Sequence, residues 1–146
     1  MKYSIVIVLF LIGGTLLAQS SWDGVMEMNS AKNFAAEIYN NNNNDFNSCI
    51  EVDGVLHHPL AAAIAKEANG IVDYLLHINQ TNLSTICNDL TILQYAIKYG
   101  DEELVKRLLQ KGADPKQKSQ SGQSALDLAM QLDKPILVGY LKSLSK

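Results

Sequence analysis

Cysteine is scarce in this chain of 146 residues, with one at position 49 and one at 87. Two thiols so far apart form no C-x-x-C redox pair and no zinc-thiolate set. The histidines are as few: His57, His58 and His77. Adjacent His57 and His58 have no third ligand nearby in sequence, so neither a metal nor a cofactor is expected. No serine lies in a nucleophile elbow or a phosphate loop. Asp53, Asp89 and Asp127 are spaced as capping and hairpin residues rather than as a carboxylate pair, which argues against an enzyme. An excess of basic charge is also missing. Twelve Lys and Arg face 15 Asp and Glu, for a net charge of −3, which excludes the basic face that nucleic acid requires.

Long apolar runs are absent after the N-terminus. Residues 5–12 are unbroken apolar sequence behind Lys2, and Gly13, Gly14 and the Leu16-Leu17-Ala18 end follow. This has the layout of a secretory signal peptide, residues 1–18, cut after Ala18. Its about 15 apolar residues fall short of the roughly 20 that span a bilayer. Export without stable membrane insertion after cleavage is therefore expected, with periplasmic localisation and secretion as the alternative. No cysteine follows the run to carry a lipid anchor. The mature chain, 19–146, has the size of one domain.

What is present is periodicity. Residues 88–115 contain a short apolar helical segment (Ile92, Leu93, Ala96, Ile97), a Gly100-Asp101 break, and a second helix with Leu104, Val105, Leu108 and Leu109 on one stripe. Gly112 supplies the left-handed stop. A 33-residue step links Leu60, Leu93 and Leu126, then Ala63, Ala96 and Ala129, and likewise Val72, Val105, Val138 and Leu75, Leu108, Leu141. One helix pair of this size cannot bury both apolar faces alone, so stacked neighbours are required.

With these residues in place, the chain resembles the ankyrin-repeat family. The family's Thr-Pro-Leu-His-x-Ala signature is matched loosely by HPLAAA (58–63), TILQYA (91–96) and SALDLA (124–129), and its Leu-Leu-x-x-Gly-Ala-Asp element by LLQKGAD (108–114). The signature histidine is replaced by Ala61, Gln94 and Asp127, so its inter-repeat hydrogen bonds must be rearranged. Pro59 suits a first helical position, and Thr91 and Ser124 retain capping hydroxyls. The resemblance implies an all-α solenoid of helix–turn–helix units joined by hairpin-like loops. The repeats are placed at about 22–52, 53–87, 88–120 and 121–146.

The first repeat is degenerate, with helices expected over 22–29 and 31–39; Ala35, Ile38 and Tyr39 stand where Val105, Leu108 and Leu109 stand later. The Asn-rich run 40–44 is expected to be a helix-ending loop, and Asn79 to take the left-handed position of Gly112. The last repeat places Leu137, Val138, Leu141 and Leu144 inward and leaves a wet outer face. The first finger, 45–58, is about three residues longer than its later equivalent and is expected to protrude. Its apolar residues either pack on the following helix or form a partner-binding ridge. Cys49 and Cys87 fall in adjacent fingers and either pair or remain half-buried thiols. Equivalent loop positions in stacked repeats lie roughly 10 Å apart, and the longer first loop is what could close that gap.

By resemblance, a partner would be met by the finger tips and the ends of the first helices. Those positions are Val55, Leu56, His57, Lys66, Asn88, Leu90, Lys98, Tyr99, Gln120, Gln123 and Gln131. Leu90 and Tyr99 are the natural anchors, with a half-buried packing role as the alternative for Tyr99. The function expected is a non-catalytic protein-binding module in the bacterial periplasm, monomeric when unbound. An immunity or inhibitor protein against a toxic effector enzyme comes first. A scaffold or adaptor for an envelope enzyme, or a secreted effector, is the alternative.

Overall fold

The computed structural model describes residues 25–26, 29–41, 45–78 and 80–144. Residues 1–18, expected from sequence to be a signal peptide, and Asn79 lie outside them. Among the described residues, Val25 and Met26 are helical and buried. The elements that follow are α1 (Ala31–Asn41), β1 (Ile50–Val52), β2 (Val55–His57), α2 (Pro59–Ala65), α3 (Asn69–His77), α4 (Ile92–Tyr99), α5 (Glu102–Gln110), α6 (Ala125–Gln131) and α7 (Pro135–Leu144).

The starts of α2, α4, α5 and α6 each have a specific chemical cause. Thr91 accepts from the Gln94 N–H at 3.2 Å, while Gln94 Oε1 accepts from the Thr91 N–H at 2.9 Å, closing a capping box on α4. Ser124 and Asp127 form the same box on α6. Asp101 caps α5 by accepting from Leu104 N–H at 2.7 Å, and Glu102 and Glu103 place negative charge in the positive first turn. Pro59 opens α2 with His58 as its cap. Lys111 ends α5, and Gly112 follows at φ +96°, as the sequence indicates.

Helix α3 is the exception, because Ala68 at its N-cap has no side chain to offer. The preceding repeat supplies one: Asn29 Oδ1 accepts from Gly70 N–H at 2.7 Å and Ile71 N–H at 3.3 Å. Asn29 itself sits at φ +47°, a conformation asparagine tolerates. Only glycine allows this approach, since a Cβ on residue 70 would lie 2.9 Å from the Asn29 carbonyl oxygen. Replacing Asn29 with alanine is expected to lower unfolding stability by about 1 kcal/mol, read as a shift in the urea midpoint. An unchanged midpoint would remove this cap from the account.

Helices α2, α4 and α6 stack side by side as an inner layer, and α3, α5 and α7 each pack on the helix before them. The small residues of the 33-residue step, Ala63, Ala96 and Ala129, are fully buried where these helices approach. Arg107 ties α5 to α3 through an ion pair with Asp73 at 2.7 Å. Successive fingers also clasp one another. Asn47 donates to Gln80 O (3.0 Å) and accepts from Asn82 N–H (2.6 Å), while Asp89 accepts from Ser121 N–H (2.8 Å).

Two expectations are corrected. In the first repeat the buried stripe is Phe34 and Ile38, whereas Tyr39 is 72% exposed. One residue is 100° of helical rotation, enough to turn Tyr39 from core to solvent. In the last repeat Leu137 and Leu141 are buried but Leu144 is exposed; Lys142 and Ser143 are exposed as expected, with the apolar Met130, Leu132 and Ile136 exposed as well. The first finger is the hairpin-like loop expected, closed by a short two-stranded ladder. β1 and β2 pair antiparallel in the register Ile50↔His57, Glu51↔Leu56, Val52↔Val55. The turn is Asp53-Gly54, with φ +52° and +75°, as a two-residue type I′ hairpin demands.

Candidate functional site

The hairpin determines where the site lies. Side chains alternate along a strand, so Val55 and His57 face the inner helices while Leu56, 52% exposed, points the other way with Glu51. Ile50 and Val52 are buried beneath the finger. The apolar residues of 45–58 are thus divided: half anchor the hairpin and half remain outside.

Between this hairpin and the ends of α2 and α4 runs a groove of about 440 Å³. Seven of the residues proposed from sequence meet in it: Val55, His57, Lys66, Asn88, Leu90, Lys98 and Tyr99. Four do not. Leu56 is on the far side of the finger. Gln120 lies on the next finger, where its N–H donates to Asp89 O at 3.0 Å. Gln123 donates through Nε2 to Gln131 Oε1 at 2.7 Å, so these two hold each other beside α6.

The floor of the groove is aromatic. Tyr95 stacks on Tyr99 at 6.0 Å between centroids, and His57 meets Tyr95 edge-on at 5.7 Å. The Tyr95 hydroxyl lies 2.9 Å from His57 Nδ1. Burial pushes the Tyr95 phenol above its ordinary range and His57 below it, so both are neutral at pH 7. Tyr95 lines the groove and is buried, whereas Tyr99 is 42% exposed. Lys98 Nζ sits 4.9 Å from the Tyr99 ring centroid, a cation–π contact. Lys66 pairs with Asp53 at the hairpin tip.

The two walls are tied together by a disulfide between Cys49 and Cys87, with Cα atoms 5.7 Å apart. Cys49 precedes β1 and Cys87 leads directly into Asn88-Asp89-Leu90, so the bond fixes the finger relative to the opposite wall. Of the two alternatives left open by sequence, pairing is what the structure contains. His57 and His58 do not act together: His57 faces Tyr95, while His58 is buried at the start of α2. Among the described residues no group of three or more His, Cys, Asp or Glu could hold a metal ion.

A second groove, of about 480 Å³, runs along the α2–α3 and α4–α5 turns, with Tyr99 on the ridge between the two. Glu67, Asp73, Asp101 and Glu103 border it, with Arg107 as its cation. Sequence reasoning missed this groove and also missed Tyr95 as a floor residue. Tyr95 sits between two positions of the repeat signature, and its contact with His57 spans 38 residues. Its 33-residue equivalents, Ala62 and Leu128, gave no sign of an aromatic site.

Stacked helix pairs joined by fingers, with an open groove between fingers and inner helices, define a helical-repeat interaction protein. A family model described as ankyrin repeats (3 copies) matches residues 59–144, more than half of the chain. The chain belongs to the ankyrin-repeat family, a protein-interaction module whose members are typically non-catalytic. No curated protein matches the chain. Among the described residues, no helix is long and apolar enough to cross a membrane.

Proposed function

We propose that the protein is exported, binds a protein partner in the hairpin groove, and keeps that partner inactive, as an immunity or inhibitor protein of the bacterial periplasm does. The observation that carries this reading is Tyr99: a half-exposed aromatic, stacked on Tyr95 and set between two walls that a disulfide holds in place. A rigid aromatic in a preformed groove offers large contact area at little entropic cost. The disulfide favours an oxidising compartment, consistent with the signal-peptide layout of residues 1–18. The acidic second groove supports a basic partner surface, through steering of the encounter.

The test is capture from envelope extracts of the source cells with the tagged, oxidised protein. The expected result is one enzyme, bound one to one, that loses activity on binding. Tyr99→Ala is expected to weaken that complex by about 30-fold, roughly 2 kcal/mol, measured by calorimetric titration. Several substoichiometric partners with unchanged activities would replace inhibition with a scaffold role. Recovery of the protein mainly from culture supernatant would favour a secreted effector.

A further inference from the structure

The carboxylates and the donors that line the hairpin groove are not engaged alike. Asp53 is held by Lys66. Asp89 turns both oxygens to the next finger, accepting from Ser121 N–H at 2.8 Å and from Ser121 Oγ at 3.1 Å. Both carboxylates lining the groove are therefore committed within the chain. Lys98 is different. It is exposed, and among the described residues it makes no ion pair or hydrogen bond, while the Tyr99 ring 4.9 Å away steadies its ammonium group.

His57 supplies a second unused donor. Asn88 Oδ1 accepts the Asp89 N–H at 2.8 Å, so the amide N–H end of Asn88 is what hydrogen-bonds the Tyr95 phenol. The phenol hydrogen then goes to His57 Nδ1, 2.9 Å away, which places the imidazole proton on Nε2. Among the described residues Nε2 has no partner, and it is not buried as His58 Nε2 is. Tyr95, Lys98 and Tyr99 stand at i, i+3 and i+4, so one side of α4 presents the ammonium group and both rings together. Helices α2 and α4 reach this groove with their C-terminal ends, which present carbonyls rather than N–H groups. Recognition of an anion here falls on the side chains of Lys98 and His57.

We propose that the hairpin groove recognises an acidic peptide segment, in which an Asp or Glu side chain meets Lys98 Nζ and His57 Nε2–H while a neighbouring apolar side chain lies against Tyr99. This deepens the reading of the groove as the partner-binding site and rests on it. A carboxylate gains charge-assisted hydrogen bonds from donors that nothing in the chain uses. A Lys or Arg at the same point would meet Lys98 with both nearby carboxylates already taken, which is repulsive. A free chain terminus is a poorer fit than a side chain, because capture of a terminal carboxylate relies on clustered backbone N–H groups. Val55 and Leu90 give the apolar neighbour its remaining contacts. The acidic second groove lies across Tyr99 and bears on a different part of the partner.

The experiment is selection on the tagged, disulfide-intact chain from a library of random peptides of about 12 residues, roughly 40 Å when extended, with their C-termini blocked by fusion. Enriched peptides are expected to carry Asp or Glu beside an aromatic or aliphatic residue. The strongest is then synthesised with an amidated C-terminus and titrated by calorimetry. Lys98→Gln is expected to weaken it about tenfold and His57→Phe, which keeps a ring against Tyr95, about threefold. Exchanging the peptide's acid for its amide should cost as much as Lys98→Gln, and the two losses should not add, since both remove one contact. Lys118→Gln, on the third finger outside the groove, should change nothing, and Lys98 is exposed, so its variant should melt with the parent. Failure to enrich any peptide, enrichment of basic or uncharged ones, or equal binding of the acidic peptide by Lys98→Gln would each overturn the proposal. Selection involves no enzyme, so its outcome is separate from that of the envelope capture. A captured, inhibited enzyme whose binding is indifferent to Lys98→Gln would keep the inhibitor reading and overturn this one.

Discussion

Lowering the pH from 7 to 4.5 is expected to cost this protein about 2.5 kcal/mol of unfolding stability through one side chain, His58. His58 is 2% exposed, and its Nδ1 accepts the Leu60 N–H at 3.1 Å as the cap of α2. That bond fixes the neutral tautomer with the proton on Nε2, an atom buried without a hydrogen-bond partner. Protonating Nδ1 would break the cap and place a cation in the core. Burial therefore pushes the imidazole from 6.5 down to about 4, with Asp45 opposing the shift. The unfolded chain takes up this proton at pH 6.5 and the folded chain only near 4. The stabilisation is thus complete above pH 6.5 and is lost as the pH falls through that window, by about 3 kcal/mol in full. His57, lowered in the same direction by burial, adds to the loss. Asp45 and Asp127, lowered by hydrogen bonds from Ser48 and Ser124, titrate below it.

His58→Asn isolates the effect, since asparagine keeps an acceptor for the Leu60 N–H and cannot titrate. Urea unfolding at pH 7 and 4.5 should show most of the acid loss in the parent protein and little in the variant. An equal loss in both, or a His58 resonance titrating near 6.5 in the folded protein, would refute the argument.

The contrast between His58 and its repeat equivalents also shows where sequence stops being informative. Thr91 and Ser124 were legible as caps because a hydroxyl three residues ahead of Gln94 or Asp127 is a local pattern. The stacked helix pairs and the left-handed Gly112 were legible for the same reason, since period and local backbone chemistry determine them. What was not legible depends on contacts between repeats. Gln94, standing where the family has histidine, restores an inter-repeat bond by donating to Gln123 O at 2.9 Å. Asn29 caps a helix that begins about forty residues later, and nothing near Ala68 announces the missing cap. The groove was legible in the residues around Tyr99 because they recur at equivalent repeat positions. It was not legible at Gln123 and Gln131, which find each other rather than a partner. Leu144 was misplaced because it continues the i, i+4, i+7 spacing of Leu137 and Leu141, whereas that stripe is buried only as far as Leu141.

Removing the disulfide is expected to have the largest effect on the fold. Cys49 and Cys87 are 38 residues apart, and closing a loop of that length in the unfolded chain corresponds to roughly 4 kcal/mol by the chain-entropy relation. Cys49→Ser/Cys87→Ser should therefore lower the melting temperature by about 10–15 °C for a domain of this size. The loss is not expected to be uniform. The bond joins the first finger to the second, whereas α4, α5, α6 and α7 hold one another through their own helix contacts and capping boxes. In a repeat array whose stability is a sum over neighbours, loosening one junction frees that end first. Hydrogen exchange should thus accelerate in α1, α2 and the hairpin while α4 and α6 remain protected. The groove wall carrying Asn88 and Leu90 would also lose its fixed distance from Val55 and His57, so partner affinity should fall even where the variant is fully folded. Uniform acceleration along the chain, or a stability change under about 1 kcal/mol, would show instead that the clasp made by Asn47, Gln80 and Asn82 holds the two fingers without the bond.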